Sequence, residues 1–544
     1  MKKILLTLAL LFIFLSKISL AQETTVNVNH EVIKNNDFTK LLGGYLSIGI
    51  NDTNLQNYAD PNFINSAKQI LPQPPANPPV MRCTFQFETE KIAEVATFCK
   101  EVNCDPMFSF YDSDPRTDTQ IRDFVNTIKT TCDSVFGDTK HCRHFDIGNE
   151  PAQQCYKPPQ FANGFYRIAS IIKSIMPDAK LVTLELDYYS KKIQAGGCSY
   201  PEFGVSCPDT ITVGECILRI LDKKTPLIYI DAVETHWYPY YGSHIDDSLV
   251  NGFSILSWNG ITTGLDSQRQ KMTDVFTSFD NINSYLHNYE VTRNAVIGMG
   301  EVSVGAFSSG VTYPNIGSIN GKWGSTFWFL DELPMMAEAG YKYVQKHVFN
   351  GHQGFSLLGL HGERVPVSYA HEFFSKYFGN RIVQTSSSNP AVLNAHSSLD
   401  KDGNLRIILV NKSNGINQPV RINLSNFNAG TEGEVYTLKI PSGGNFNRYS
   451  ANETGVQITT NQLTVGQNFN YTVPSYSSVI IKVPKIPSNC RKSNGDTNGN
   501  GIDVNDFISW KDQFLNIDST ETANFNCDPK INLMDFEVWR LNYY

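Results

Sequence analysis

Two acidic residues stand in contexts suited to carboxylate chemistry: Glu150 in Phe145-Asp-Ile-Gly-Asn149-Glu150-Pro151, and Glu301 in Ile297-Gly-Met-Gly-Glu301-Val302. Each closes a short apolar run of the kind that reads as a buried strand. Where strands alternate with helices, a carboxylate at the carboxyl end of a buried strand lies on the catalytic face of a barrel. Two carboxylates facing one sugar supply both halves of glycoside hydrolysis, one as proton donor and the other as nucleophile or base. The donor has to be held neutral and aimed at the glycosidic oxygen before attack. Taken singly the motifs are ordinary, since Gly-Asn-Glu-Pro is also good turn chemistry and a glutamate suits any βα-loop. Their joint occurrence on predicted strand ends is what points to chemistry.

A third segment, Glu234-Thr-His236-Trp-Tyr238-Pro-Tyr240, lies between them at the end of a predicted sixth strand. Together the three segments resemble glycoside hydrolase clan A, the retaining (β/α)8 barrel enzymes, and the His-x-Tyr piece is similar to that of families 39, 51 and 79. The resemblance spans residues 40 to 375 as an architecture. It implies that Glu150 at the end of strand 4 is the general acid/base and Glu301 at the end of strand 7 the nucleophile. It further implies that Asn149 hydrogen-bonds the sugar 2-hydroxyl. His236 and Tyr238 are expected beside Glu301, orienting it or forming an aromatic wall for sugar stacking. Arg82, ending strand 2, resembles the clan's basic residue near the nucleophile, with a structural salt bridge as the alternative. Asn51, Tyr111 and Trp323 fall on predicted top-face loops as subsite or loop-packing residues, and His352 lies near the expected strand 8. No ligand spacing marks a metal site in the barrel, so no cofactor is expected for catalysis.

The elements that must position these residues follow from periodicity. Strands 1 to 8 are expected at 43–50, 79–85, 106–111, 144–148, 179–185, 228–236, 295–300 and near Gly354-Phe-Ser-Leu-Leu358, with amphipathic helices clearest at Phe161 to Met176 and Trp328 to Ala339. After Lys376 the pattern changes to alternation, as in Leu405-Arg-Ile-Ile-Leu-Val-Asn411 and Ser477-Ser-Val-Ile-Ile-Lys-Val483, with Asn, Gly and Ser turns between runs. This indicates an antiparallel β-sandwich. The early run Thr24 to Ile33 also alternates and is expected to pack there.

Met1 to Ala21 reads as a cleavable signal peptide, with basic Lys2 and Lys3, an apolar stretch and Ser19-Leu-Ala21. The chain has 544 residues, 41% hydrophobic and 18% charged, enough for two or three domains. A net charge of -8 gives no basic footprint for nucleic acid, and no later run is long enough for a membrane helix. Eleven cysteines in an exported chain favour disulfides. Cys99 with Cys104 and Cys132 with Cys142 are expected as local bridges. Cys155, Cys198, Cys207 and Cys216 form a cluster of open pairing, and Cys83 is expected as a buried free thiol.

Beyond the linker at Pro484-Lys-Ile-Pro-Ser488, Asp506-Phe-Ile-Ser-Trp510-Lys recurs as Asp535-Phe-Glu-Val-Trp539-Arg. Each copy follows an Asx-rich loop. The first carries Asp496, Asn498, Asn500, Asp503 and Asp506. The second carries Asn524, Asn526, Asp528, Asn532 and Asp535, with Lys530 offering a backbone carbonyl, in the spacing of a calcium loop. The tandem resembles a type I dockerin, which docks a cohesin. The first loop is one residue short between Asn500 and Asp506, and the second begins with Asn524 in place of Asp. Cys490 and Cys527 are expected to staple the module.

The expected fold is therefore α/β: a signal peptide (1–21), a strand joining the sandwich (22–37), a (β/α)8 TIM barrel (38–375), a C-terminal antiparallel β-sandwich (376–485) and a small α-helical, calcium-binding, dockerin-like module (486–544). The expected function is a secreted retaining glycoside hydrolase of plant cell-wall polysaccharide or its oligosaccharides, with a cohesin-bearing scaffold as partner. A uronic-acid glycosidase similar to family 79, or a non-catalytic carbohydrate-binding scaffold protein, is the alternative.

Overall fold

The computed structural model describes residues 22–36, 43–46, 57–71, 78–83, 89–149, 151, 155–187, 192–237, 274–302, 323–347, 349–350, 356–359, 361–413, 415–441, 456–486, 495–515, 523–525 and 531–543. After a first strand, β1 (Thr24–Asn35), parallel strands β2 (Gly43–Leu46), β3 (Val80–Cys83), β4 (Asp105–Phe110), β5 (His144–Ile147) and β6 (Lys180–Asp187) pair in sequence order. A hairpin of β7 (Cys198–Tyr200) and β8 (Val205–Cys207) intervenes. The strands β9 (Ala232–Trp237), β10 (Val296–Val302) and β11 (Val344–Lys346) complete the barrel, and β11 closes on β2. All eight barrel strands are parallel, which requires a crossover after each.

Helices α1 (Pro61–Ile70), α2 (Ile92–Val102), α3 (Asp118–Phe136), α4 (Lys157–Ile175), α5 (Val213–Leu221), α6 (Asp274–Leu286), α7 (Trp323–Ala339) and α8 (Pro366–Tyr377) supply crossovers and cover. In α3, Thr117 and Gln120 form a reciprocal capping box, and Gly137 ends the helix at φ +79°. Its buried residues Ile121, Phe124, Val125, Ile128 and Cys132 repeat at helical spacing and face the barrel.

The eighth strand departs from the sequence expectation. It is Val344–Lys346, whereas Leu358 in the apolar run near 354–358 makes only isolated bridges with Asn350 and Arg364. Periodicity missed it because its interior residues, Gln345 and Lys346, are polar yet buried. Trp323 falls at the start of α7 and not on a loop, fully buried and stacked on Tyr369 at 5.7 Å, which is the packing alternative of the two expected for it.

Antiparallel strands β12 (Arg381–Ser387), β13 (Leu393–Leu399), β14 (Leu405–Asn411), β15 (Gln418–Ser425), β16 (Glu432–Lys439), β17 (Ile458–Thr464), β18 (Asn468–Val473) and β19 (Ser477–Val483) join β1 in one nine-stranded sheet. It encloses an apolar core with Val26, Ile407, Leu409, Val420, Ile422 and Ile481. β1 enters parallel to β15 and antiparallel to β12. Along β14 the residues divide: Ile407 and Leu409 face this core, and Ile408 and Val410 join the core of the barrel. A strand buried on both faces reads as a continuous apolar run.

Among the described residues the bridges are Cys99–Cys104, Cys132–Cys142, Cys155–Cys198 and Cys207–Cys216, and Cys83 is a buried free thiol. Among the described residues no helix is long and apolar enough to cross a membrane. At the C terminus, α9 (Val504–Phe514) and α10 (Leu533–Tyr543) share a separate small core of Trp510, Ala523, Phe525 and Trp539.

Candidate active site

Glu301 reaches the barrel mouth through a local irregularity in β10. Met299 pairs with Thr235 and Glu301 with His236, so Gly300 is an extra residue in the register. Strict alternation would turn Glu301 outward whenever Gly300 faces inward. The bulge lets both point in, and bulges next to active sites commonly re-aim a side chain this way. A Cβ at 300 would overlap the Glu234 carboxylate, so any larger residue there has to displace that buried side chain.

Once inside, the Glu301 carboxylate is 12% exposed and lies 3.0 Å from Arg82 Nη1. His236 Nδ1 and His347 Nδ1 each lie 3.6 Å from its Oε2, close enough for electrostatic contact and too long for a hydrogen bond. Arg82 is fully buried, and its Nε faces Asp146 Oδ2 at 3.0 Å and Ser109 Oγ at 3.2 Å. One planar cation thus spans two carboxylates, as a fixed fork of donors allows. Burial pushes the His347 imidazole down to about 4, against the opposing pull of Glu301, so it is neutral at neutral pH.

Below this group lies Glu234, wholly buried, with Oε1 3.4 Å from Gln345 Nε2. Burial and then the nearby Asp146 push its carboxyl up to about 7, with Arg82 pulling the other way. His347 and the Glu234 environment were missed in the sequence because the eighth strand was sought some ten residues too late. The signal available was the tripeptide Val344-Gln-Lys346 followed directly by His347.

Asn149 follows β5 through Gly148, whose φ of +101° and contact with the Phe161 ring both demand glycine. Asn149 borders a cavity of about 540 Å³ shared with Asp112, Lys157 and Gln160. Burial raises the Asp112 carboxyl above its ordinary range. Tyr111 directly follows β4. Glu150, Tyr238, Asn51 and His352 lie outside the described residues, so the separation of Glu150 from Glu301 is not part of this geometry.

In the C-terminal module the two repeats lock reciprocally: Trp510 Nε1 donates to Asn532 O at 3.0 Å and Trp539 Nε1 to Asp503 O at 3.1 Å. Asp496 accepts the backbone N–H groups of Asn498, Gly499 and Gly501, coiling the first loop around its carboxylate. Asp506 accepts from Thr497 N and Asp503 N, both at 2.7 Å. In the second loop Asp535 Oδ2 accepts from Asn532 N at 2.8 Å. Asn524 is buried; Asn526, Asp528, Lys530, Cys490 and Cys527 lie outside the described residues. Carboxylate and amide oxygens in a coiled loop fit a hard, oxygen-seeking cation by donor chemistry. Among the described residues no group of three His, Cys, Asp or Glu side chains converges as a metal site.

No family model matches the chain, and no curated protein matches it. Solved structures do. The family 51 arabinofuranosidase from Xanthomonas axonopodis pv. citri is similar over 85% of this chain and 99% of that one, at TM-score 0.59 and 11% identity. An α-L-arabinofuranosidase from Thermotoga maritima is similar over 85% and 100%, at TM-score 0.56 and 15% identity. A family 44 endoglucanase from Clostridium acetobutylium is similar over 85% and 99%, at TM-score 0.53 and 14% identity. Family 51 is among those that the sequence motifs resemble, and family 44 is not. At such identities the likeness is one of fold alone: a parallel (β/α)8 barrel with an attached β domain.

Proposed function

We propose that the protein is a retaining glycoside hydrolase acting on plant cell-wall polysaccharide or oligosaccharide by double displacement. The observation that carries this reading is Glu301: a carboxylate aimed into the barrel mouth by a glycine bulge, paired with a buried arginine and flanked by two histidines. Glu301 attacks the anomeric carbon while Glu150 gives its proton to the departing glycosidic oxygen, leaving a glycosyl ester on Glu301. Glu150 then takes a proton from the water that cleaves the ester, restoring both carboxyls and the original anomeric configuration. Asn149 holds the sugar 2-hydroxyl, a bond that tightens as positive charge develops on the ring. The similar structures are described as arabinofuranosidases, glucanases and a glucanase-xylanase, which directs the choice of substrate.

The test is hydrolysis of aryl α-L-arabinofuranoside, β-glucoside, β-xyloside and β-glucuronide by the full chain and by Glu301→Gln. Turnover of one glycoside, lost in the variant, supports the reading. Preference for the glucuronide favours a uronic-acid glycosidase instead. No turnover of any, with binding to polysaccharide retained, leaves a non-catalytic carbohydrate-binding protein.

For the C-terminal module we propose calcium binding and docking to a cohesin. The reciprocal tryptophan contacts and the Asp496-centred loop support a duplicated loop-helix unit. Calcium would neutralise the oxygen-rich loops, and catalysis does not use it. Chelation of the full chain is expected to change the fluorescence of Trp510 and Trp539 while leaving glycoside hydrolysis unchanged. No calcium uptake at millimolar concentration removes this reading.

A further inference from the structure

The interior of a (β/α)8 barrel is filled in layers of four side chains from alternate strands, usually bulky and branched. In this barrel the second, fourth, sixth and eighth strands, β3, β5, β9 and β11, contribute Arg82, Asp146, Glu234 and Gln345, and none of the four is exposed. The layer sits immediately under the nucleophile assigned above. Its internal contacts are Arg82 to Asp146 at 3.0 Å and Gln345 to Glu234 at 3.4 Å. A Cβ on Gly300 of β10 would meet the Glu234 carboxylate at 2.3 Å, so this carboxyl packs against the residue that immediately precedes Glu301.

The charges do not balance if every acid is ionised. Arg82 is the one guanidinium of the cluster, and it already pairs with Asp146 and Glu301. Among the described residues the other polar groups that act on Glu234 include the Tyr343 hydroxyl, the Gln345 amide and His236, with a neutral His347 above. A third anion in this buried layer would have to share the one guanidinium with two others, and a poorly compensated buried charge is among the most expensive features a fold can hold. A protonated carboxyl avoids that expense. It accepts from Gln345 and leaves the positive charge where it is.

We propose that Glu234 is a positioning residue, present as the neutral acid in the working protein, which keeps the single charge of Arg82 committed to Asp146 and Glu301. The proposal rests on Glu301 being the nucleophile. Its chemical consequence is specific. Glu234 ionises as the pH rises through about 7, the guanidinium is then shared among three carboxylates, and Glu301 loses its fixed orientation. The alkaline limb of activity therefore carries the ionisation of Glu234 as well as that of the general acid.

The experiment reads Glu234 directly and then through catalysis. In infrared difference spectra of the full chain, a protonated-glutamate C=O band, shifted by ¹³C-glutamate labelling, is expected to disappear as the pH is raised through about 7, and to be missing in Glu234→Gln. In kcat/KM profiles on an aryl glycoside, Glu234→Gln is expected to move the falling limb upward by about one pH unit or more. A purely structural glutamate would not move it. The proposal is overturned if the wild type shows no titrating band near neutrality, or if the two profiles superimpose. Should no glycoside be turned over, the infrared titration still decides the state of Glu234, and the failure belongs to the assigned activity.

Discussion

Arg82 carries more of the site than any other side chain, because one planar group serves Asp146, Ser109 and Glu301 at once. A lysine keeps the charge and cannot keep the fork. Arg82→Lys is expected to lower kcat/KM by about 10²-fold, roughly 3 kcal/mol, the scale of losing one preorganised electrostatic contact. Arg82→Met should additionally lower thermal stability, since it strands buried carboxylates at a cost of about 3–5 kcal/mol. Steady-state kinetics and a melting curve on both variants check this, and an Arg82→Lys enzyme with unchanged kcat/KM would remove Arg82 from the mechanism. The two glutamates are separable by azide. Rescue of Glu301→Ala should give a glycosyl azide of inverted configuration, whereas Glu150→Ala should still form the glycosyl-enzyme from a good leaving group and yield the retained azide. The NMR configuration of the products distinguishes the roles.

At the scale of elements, the bulge in β10 sets the aim of the proposed nucleophile. Gly300→Ala is expected to destabilise the fold by about 1–3 kcal/mol through overpacking against Glu234, and to lower kcat far more than KM because Glu301 is displaced. Equal kcat in wild type and variant would show that the bulge does not position the acid. Much of this layer was legible. The barrel, the placing of Arg82, His236 and Glu301 on strand ends, and the sheet after Lys376 all follow from periodicities of 3.6 and 2. What was hidden has a common cause: polar residues inside. Val344–Lys346 escaped notice because two of its three residues are a buried Gln and Lys, and His347 went with it. Glu234 was visible as a residue of the His236 segment, but no pattern announces a carboxyl kept in a dry layer. A bulge is likewise a matter of register, which single-strand periodicity does not contain.

Over the whole molecule, the nine-stranded sheet is fastened to the barrel by charge as well as by apolar packing. His396 Nε2 lies 3.0 Å and Asn394 Nδ2 2.7 Å from Asp331 Oδ1 of α7, Lys412 Nζ lies 2.8 Å from Asp331 Oδ2, and His396 Nδ1 lies 2.8 Å from Glu338 Oε1. Burial opposes the charge on His396, yet Glu338 and Asp331 outweigh it and push the imidazole up to about 9. A histidine raised from an ordinary value of about 6.5 contributes stability fully below that pH and loses it as the pH rises through about 9. Melting temperature is therefore expected to fall between those limits in the wild type and to fall less in His396→Gln. Parallel curves for the two would show that the imidazolium does not hold the interface. Asn35 adds a neutral tie, donating to Ala337 O at 3.0 Å and Tyr341 O at 3.2 Å, so the first strand also closes the end of α7.

The proposed double displacement depends on a covalent intermediate at one carboxylate, that of Glu301. An activated 2-deoxy-2-fluoro glycoside of whichever sugar the aryl-glycoside screen identifies slows both steps and, with a good leaving group, accumulates the ester. Intact-mass analysis of the full chain should show one added fluoroglycosyl group, and peptide mapping should place it on Glu301 within Val296–Val302. Time-dependent inactivation with the label on Glu301 is the predicted result. Label on another carboxylate, or steady turnover to an inverted product with no adduct, would contradict it.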